Sequence, residues 1–193
     1  MIGYMIRNKL IDCVTFFDNN LMFDVRYNIL VNQIDYFVIC ESRFDHKGDE
    51  KGKKFIFKKE YDPNKIKYLY FDKPFPKKTN RWENQAIQRD YILKNLNFAD
   101  LEDYIFFSDP DEIINPEILK NFELKKKYGI FLFKCFNYKF NLFNPHETPW
   151  EGTRVAKKKN LKSIDFMRQK VLRKNLKYSF LRIDKERNIQ LLK

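Results

Sequence analysis

Apolar residues in this chain fall into short runs of two kinds, and the two kinds alternate. Residues 10–17 are rich in β-branched and aromatic side chains and read as a first strand. Leu21, Val25 and Ile29 then recur every four residues, which predicts an amphipathic helix to about residue 32 with Asp18 in the N-cap position. Residues 36–40 form a second strand that ends in Glu41 and Ser42, and the polar, Gly-containing residues 43–54 read as a loop. A third strand, residues 66–71, is closed by Asp72 and Pro74. Asn80 opens a second helix, with Glu83 three residues on as in a capping box and Trp82, Ala86, Arg89 and Leu93 on one side. Residues 104–107 are a fourth strand, Pro116 opens a short helix to about Phe122, and residues 129–136 are a further strand. Residues 138–143 either pair with that strand as a hairpin or continue it.

This alternation predicts an α/β fold, an open and mostly parallel sheet flanked by helices. Asp18, Glu41, Asp72 and Asp109 each fall at the C-terminal end of a predicted strand. In open α/β sheets that edge is where ligands bind.

Composition supports one domain with a full core. The chain has 193 residues, 44% of them hydrophobic and 17% aromatic, which excludes global disorder. No segment approaches the ~20 apolar residues of a membrane span. Residues 1–18 carry Arg7, Lys9 and Asp12 among their apolar positions, unlike a signal peptide. Cys13, Cys40 and Cys135 lie in predicted strands without the close spacing of a zinc site, and read as small core residues of a reducing compartment. The expectation is a soluble cytosolic protein.

Charge changes the picture. The formal net charge is +12, yet residues 95–119 hold seven acids and no Lys or Arg. Residues 154–193 hold 14 Lys or Arg against three acids. Such a basic stretch attracts nucleic acid, anionic lipid or phosphorylated substrates, although a cluster such as Lys157-Lys158-Lys159 also suits a solvated face. Inside the acidic island, the strand Tyr104-Ile105-Phe106-Phe107 stops in Ser108-Asp109-Pro110-Asp111-Glu112. Pro110 keeps Asp109 extended and turns the chain at once. Asp109 and Asp111 then project from a rigid strand end, as hard oxygen ligands for a divalent cation that takes its other ligands from water and phosphates. A short Asp-x-Asp also occurs in ordinary solvated turns; the strand before it and the local charge reversal put the metal reading on an equal footing with that one.

Other chemistries lack their residues. His46 and His146 are the two histidines, neither in a nucleophile motif, and no Gly-x-Ser-x-Gly, Walker A or dinucleotide fingerprint occurs. What remains is a carboxylate-held metal able to hold a diphosphate, and hence nucleotide-activated group transfer. Around it, Trp82 reads as a helix core anchor or a sugar platform, and Arg89 as the partner of an acid or a phosphate. Glu83 is a cap, His46 a solvated loop residue. Trp150-Glu151-Gly152 is a loop after Pro145 and Pro149, where an exposed Trp suits sugar stacking. Glu151 is the candidate general base.

The order of motifs resembles glycosyltransferase family 17, the β-1,4-mannosyl-glycoprotein N-acetylglucosaminyltransferase group. The matching pieces are Asp12-Cys13 with Phe16-Phe17 and Asp18, Tyr36-Phe37-Val38-Ile39 with Glu41-Ser42, and Arg81-Trp82-Glu83 with Arg89. Ser108-Asp109-Pro110-Asp111-Glu112-Ile113 and Trp150 with Gly152 follow in the same order. The resemblance implies a GT-A-like, Rossmann-type fold, a UDP-N-acetylglucosamine donor, inversion, and Mn²⁺ or Mg²⁺ on Asp109 and Asp111. It implies that Glu41 faces the nucleotide and that Arg89 serves the donor. The family's Gly-Gly-Trp-His segment has no counterpart in these residues, so slow transfer to a glycan or glycolipid acceptor is expected. Residues 1–153 are expected to form the donor-binding domain, with 154–193 a basic extension packed on its acceptor side, in contact with an anionic membrane or a charged glycan. Two rivals stay open: a metal-dependent nucleotidyltransferase using the same aspartates, and a non-catalytic nucleic-acid module using the basic region with Tyr and Phe stacking. The acidic strand ends would repel a polyanion, so no specific nucleic acid is expected.

Overall fold

A computed structural model of the chain describes residues 7–138, 141–178 and 186–193. The elements run β1 (Leu10–Phe16), α1 (Asn20–Leu30), β2 (Tyr36–Ser42), β3 (Ile66–Phe71), α2 (Arg81–Lys94), β4 (Tyr104–Ser108) and α3 (Pro116–Leu119). They continue with β5 (Tyr128–Phe133), β6 (Cys135–Phe136), β7 (Phe143–Asn144), β8 (Trp150–Lys157), α4 (Ile164–Lys170), α5 (Lys174–Tyr178) and β9 (Ile189–Leu192).

Seven strands form one sheet in the order β3-β2-β1-β4-β8-β5-β9. β8 is antiparallel to both its neighbours, and the other pairings are parallel. This is the open, mostly parallel sheet flanked by helices that the alternation predicts. Strand alternation sorts the core into two layers. Leu10, Val14 and Phe16 of β1 face α1 and α3, whereas Ile11 and Cys13 face α2 and α4. The chain leaves β1 towards β2 and β3, then returns to place β4 on the other side of β1. The crossovers diverge there and leave a crevice at the C-terminal ends of β1 and β4, where ligands bind in this architecture.

Several local expectations are corrected. In α1 the buried face is Phe23, Arg26, Tyr27 and Leu30, while Leu21 and Ile29 are exposed. Two four-residue patterns interleave in this helix, and the one carrying two aromatic rings buries more surface: Phe23 packs edge-on to Phe37 and Tyr61. Asn19, not Asp18, caps the helix by accepting from the Met22 N–H at 2.9 Å. The capping box of α2 is present, with Asn80 and Glu83 bonded reciprocally. Trp82 is not a core anchor: it is 64% exposed, with the Arg81 guanidinium over its ring.

The predicted strand at 129–136 breaks at Lys134; β6 leaves the main sheet and pairs antiparallel with β7, so of the two alternatives the hairpin is found, with Phe143 opposite Phe136 and residues 139 and 140 outside the described residues. Cys135 is therefore only half-buried, unlike Cys13 and Cys40. Residues 150–152, read as a loop, begin β8, an interior strand. The boundary expected between 153 and 154 falls within it, and β9 joins the same sheet. Among the described residues no helix is long and apolar enough to cross a membrane.

Candidate functional site

The turn after β4 is fixed from both faces of the sheet by two arginines. From the α1 side comes Arg26, fully buried. Its Nε and Nη2 donate to the two oxygens of Asp12 at 2.7 and 2.6 Å. Nη2 also reaches Ser108 Oγ at 2.5 Å, and Nη1 reaches the Glu112 and Pro110 carbonyls at 3.0 and 3.3 Å. Burial works against this cation, but the charge and hydrogen bonds of Asp12, with the charges of Glu112 and Asp111, together overcome it and raise the guanidinium pKa. From the α4 side comes Arg168, whose Nη1 and Nη2 grip the Glu112 carboxylate at 2.9 and 2.8 Å. Its Nη2 also donates to Asp109 Oδ2 at 2.6 Å and its Nη1 to the Gly152 carbonyl at 2.9 Å. Here too burial opposes the charge, and Glu112 with Asp109 overcomes it, so the pKa is raised.

Glu112 is the hub. Besides Arg168 it accepts from Trp150 Nε1 at 2.8 Å and from the Asp109 N–H at 3.2 Å. Gly152 is required beside it: a Cβ there would collide with the Phe133 ring and lie 3.3 Å from Glu112 Cδ. The result is a rigid turn presenting Asp109, partly exposed, and Asp111, exposed. The Asp111 side chain makes no hydrogen bond or ion pair with the described residues, and Asp109 Oδ1 accepts none.

A cleft of about 490 Å³ opens on one side of this turn, at the ends of β1, β2 and β4. Phe17, Asp18, Ser42, His46, Lys51 and Asp109 are among its lining residues. Phe17 presents an exposed ring with Lys51 Nζ 5.4 Å from its centroid. His46 is not a solvated loop residue: its Nε2 lies 2.7 Å from Gln88 Oε1 on the cleft wall. Glu41 does not reach the cleft surface. It is fully buried and accepts from Lys51 Nζ, the Lys54 and Phe55 N–H groups and Tyr68 Oη, at 2.8, 2.7, 3.1 and 2.7 Å. Four donors saturate the carboxylate, so its contribution is to hold the 51–55 segment against the sheet. Asp72 pairs with Arg43 at 3.2 Å on the far side of β2. Arg89 lies on the α2 side, bonded to Asp165 at 2.9 Å and set over the Phe107 ring; it braces α2 on α4 and is not brought to the turn.

A second cleft, about 520 Å³, lies on the other side of Arg168. It is lined by Glu147, Trp150, Glu151, Arg154, Arg173 and Lys174 among others. Glu151 accepts from the Arg173 N–H at 2.9 Å and pairs with the Arg173 and Arg154 guanidiniums at 3.3 and 3.7 Å. Arg154 donates to the carbonyls of Val171, Glu151 and Gly152. Burial, then the nearby Arg168 charge, lower its pKa to about 10.

The donor set fits a hard cation. Asp109 and Asp111 offer carboxylate oxygens with free lone pairs at a fixed turn. Among the described residues no group of three or more His, Cys, Asp or Glu is arranged to hold a metal. A cation here would therefore take at most two protein carboxylates and complete its shell from water and phosphate oxygens, as Mg²⁺ commonly does. Much of the acidic island does other work: Asp100 and Asp103 hold Lys9, and Glu102 pairs with Lys157 and Lys159. Arg26, Arg168 and Glu112 were not singled out as site residues from sequence. Asp12, a lone acid inside an apolar strand, was the available signal for the first; nothing in the local sequence pairs Arg168 with a turn 56 residues earlier.

The sequence model of glycosyltransferase family 17 matches residues 3–172. Among curated proteins none matches the chain. Among solved structures, a 2-C-methyl-D-erythritol 4-phosphate cytidylyltransferase from Francisella tularensis aligns at 10% identity and a TM-score of 0.40, over 79% of this chain and 74% of that one.

Proposed function

Because this chain belongs to glycosyltransferase family 17, we propose that it transfers N-acetylglucosamine, or a closely related sugar, from a UDP donor to a glycan hydroxyl with inversion. The observation that carries this reading is the meeting of two clefts at Asp109 and Arg168. A two-substrate transfer needs two binding regions that share one reacting point. In this reading the nucleoside end of the donor occupies the first cleft, with Phe17 as its stacking surface, and the acceptor enters the second. Asp109 and Asp111 would hold Mn²⁺ or Mg²⁺. Such a cation, when bound, would supply Lewis-acid stabilisation of negative charge on a leaving diphosphate. Arg168 holds Asp109 in place through Oδ2, and Glu112 fixes Arg168 in turn. Glu151 retains the role of acceptor-side base, as a carboxylate of the second cleft separated from Asp109 by Arg168. Trp150, 43% exposed and oriented by its bond to Glu112, offers the sugar a flat apolar face.

The test is Asp111→Asn. The exposed side chain supports nothing in the fold, so the variant should unfold like the parent while losing most Mn²⁺-dependent UDP binding in calorimetry. Transfer to mannoside or N-glycan acceptors, followed by mass spectrometry, should fall with it. Unchanged UDP and Mn²⁺ binding would show that the metal is held elsewhere, and turnover of nucleoside triphosphates in place of UDP-sugars would favour nucleotidyl transfer.

A further inference from the structure

The second cleft has more cationic character than its own carboxylates neutralise. Arg168 is fully engaged by Glu112 and Asp109. Arg154, Arg173 and Lys174 differ. The Arg154 side chain is 3% exposed and its close bonds all go to uncharged carbonyls; the nearest carboxylate oxygen, on Glu151, is 3.7 Å away. Arg173 draws on that same Glu151 at 3.3 Å, so one carboxylate faces two guanidiniums. The exposed Lys174 makes no hydrogen bond or ion pair with the described residues. The remaining acid of the cleft, Glu147, accepts from the Cys135 thiol at 3.3 Å. A buried cation short of counter-charge is costly; an anion taken by Arg173 would free Glu151 to serve Arg154, the buried one of the three. Trp150 stands on the same cleft wall with its ring half-exposed.

We propose that the second cleft is a subsite for a saccharide carrying an anionic group, a carboxylate or a phosphate, with its ring on Trp150 and its charge received by Arg173 and Lys174. This deepens the acceptor assignment made above and rests on it. A neutral sugar would use the Trp150 face and leave the cationic groups uncompensated. An acidic sugar uses both, and charge-assisted bonds are the stronger kind.

The experiment measures binding of four probes to the full chain by calorimetry, with and without UDP and Mn²⁺: methyl mannoside, methyl glucuronide, mannose 6-phosphate and inorganic phosphate. Both acidic sugars should bind at least about tenfold more tightly than the neutral one, and Lys174→Ala or Arg173→Gln should each remove about tenfold of that affinity. UDP binding should be the same in parent and variants. The relative response to glucuronide and sugar phosphate tells which anion the site prefers. Equal affinity for neutral and acidic sugars would overturn the proposal, as would inorganic phosphate binding as tightly as mannose 6-phosphate with no response to glucuronide. A parent that binds acidic sugars but never UDP would sink the donor assignment and leave this subsite standing.

Discussion

Replacing Arg26 with methionine would leave the Asp12 carboxylate, 1% exposed in the middle of the sheet, without its guanidinium. Breaking a buried pair from one side costs about 3–5 kcal/mol, because the remaining charge has no solvent to return to. A urea titration should show that loss, with an added fall in donor affinity as Ser108 and the Pro110 and Glu112 carbonyls lose their shared donor. A second residue-scale effect concerns alkaline pH. Burial pushes the Cys40 thiol up to about 12. Burial and the bond to Glu41 also raise the Tyr68 phenol. The unfolded chain gives up these protons in the ordinary thiol and phenol ranges, so stability is complete below about pH 8.5 and declines as pH climbs towards the folded values. Urea midpoints taken from pH 8 to 11 should fall, and Cys40→Ala should lessen the first part of the decline, the rest of which comes from the buried Cys13 thiol, also raised by burial. Single residues were unevenly legible. The turn carrying Asp109 and Asp111 could be placed because proline and a strand end announce it. Glu41 and Arg89 could not be placed, because whether a charged group meets solvent or a partner depends on elements distant in sequence.

At the scale of elements, Gly152 is a position in β8 that leaves no room for a side chain. Gly152→Ala would push against the Phe133 ring and crowd Glu112 Cδ at 3.3 Å. Overpacking of this kind costs about 1–3 kcal/mol. Thermal unfolding should register it, and transfer should fall further than stability, since the displaced groups hold Asp109. The helices show what pattern can and cannot tell. The start of α2 was readable because a capping box is local chemistry, and Asn80→Ala should cost about 1 kcal/mol. The inward face of α1 was not readable, because two faces of similar hydrophobicity compete and the sheet beneath selects the aromatic one. β8 was missed for a related reason. Its sequence, Trp-Glu-Gly-Thr-Arg-Val-Ala-Lys, carries Glu151 and Arg154 inside an interior strand, and their partners Arg173 and the Val171 carbonyl lie beyond it.

For the whole molecule, the alternation of runs was enough to give the sheet and its helices, while the charge map alone does not say which basic groups have partners. Several basic residues near the site already have carboxylate partners: Arg168 is held by Glu112 and Asp109, and Lys157 and Lys159 share Glu102. Binding to DNA or RNA should therefore be weak and fall steeply with salt, while UDP-sugar binding changes little; filter binding across a salt series would check this. The position of β8 has a consequence for synthesis. β4 is hydrogen-bonded to a strand that begins 42 residues after β4 ends and lies between β4 and β5. As the chain leaves the ribosome, β1 to β4 can associate in order of appearance, but one edge of β4 stays bare until β8 emerges and slots in. α4 and its Arg168 follow still later, so Asp109 acquires its clamp only after β8 has been made. A nascent chain arrested before residue 150 should leave the amides of β4 open to hydrogen exchange on that edge and should show no UDP response, even with its donor-side strands complete.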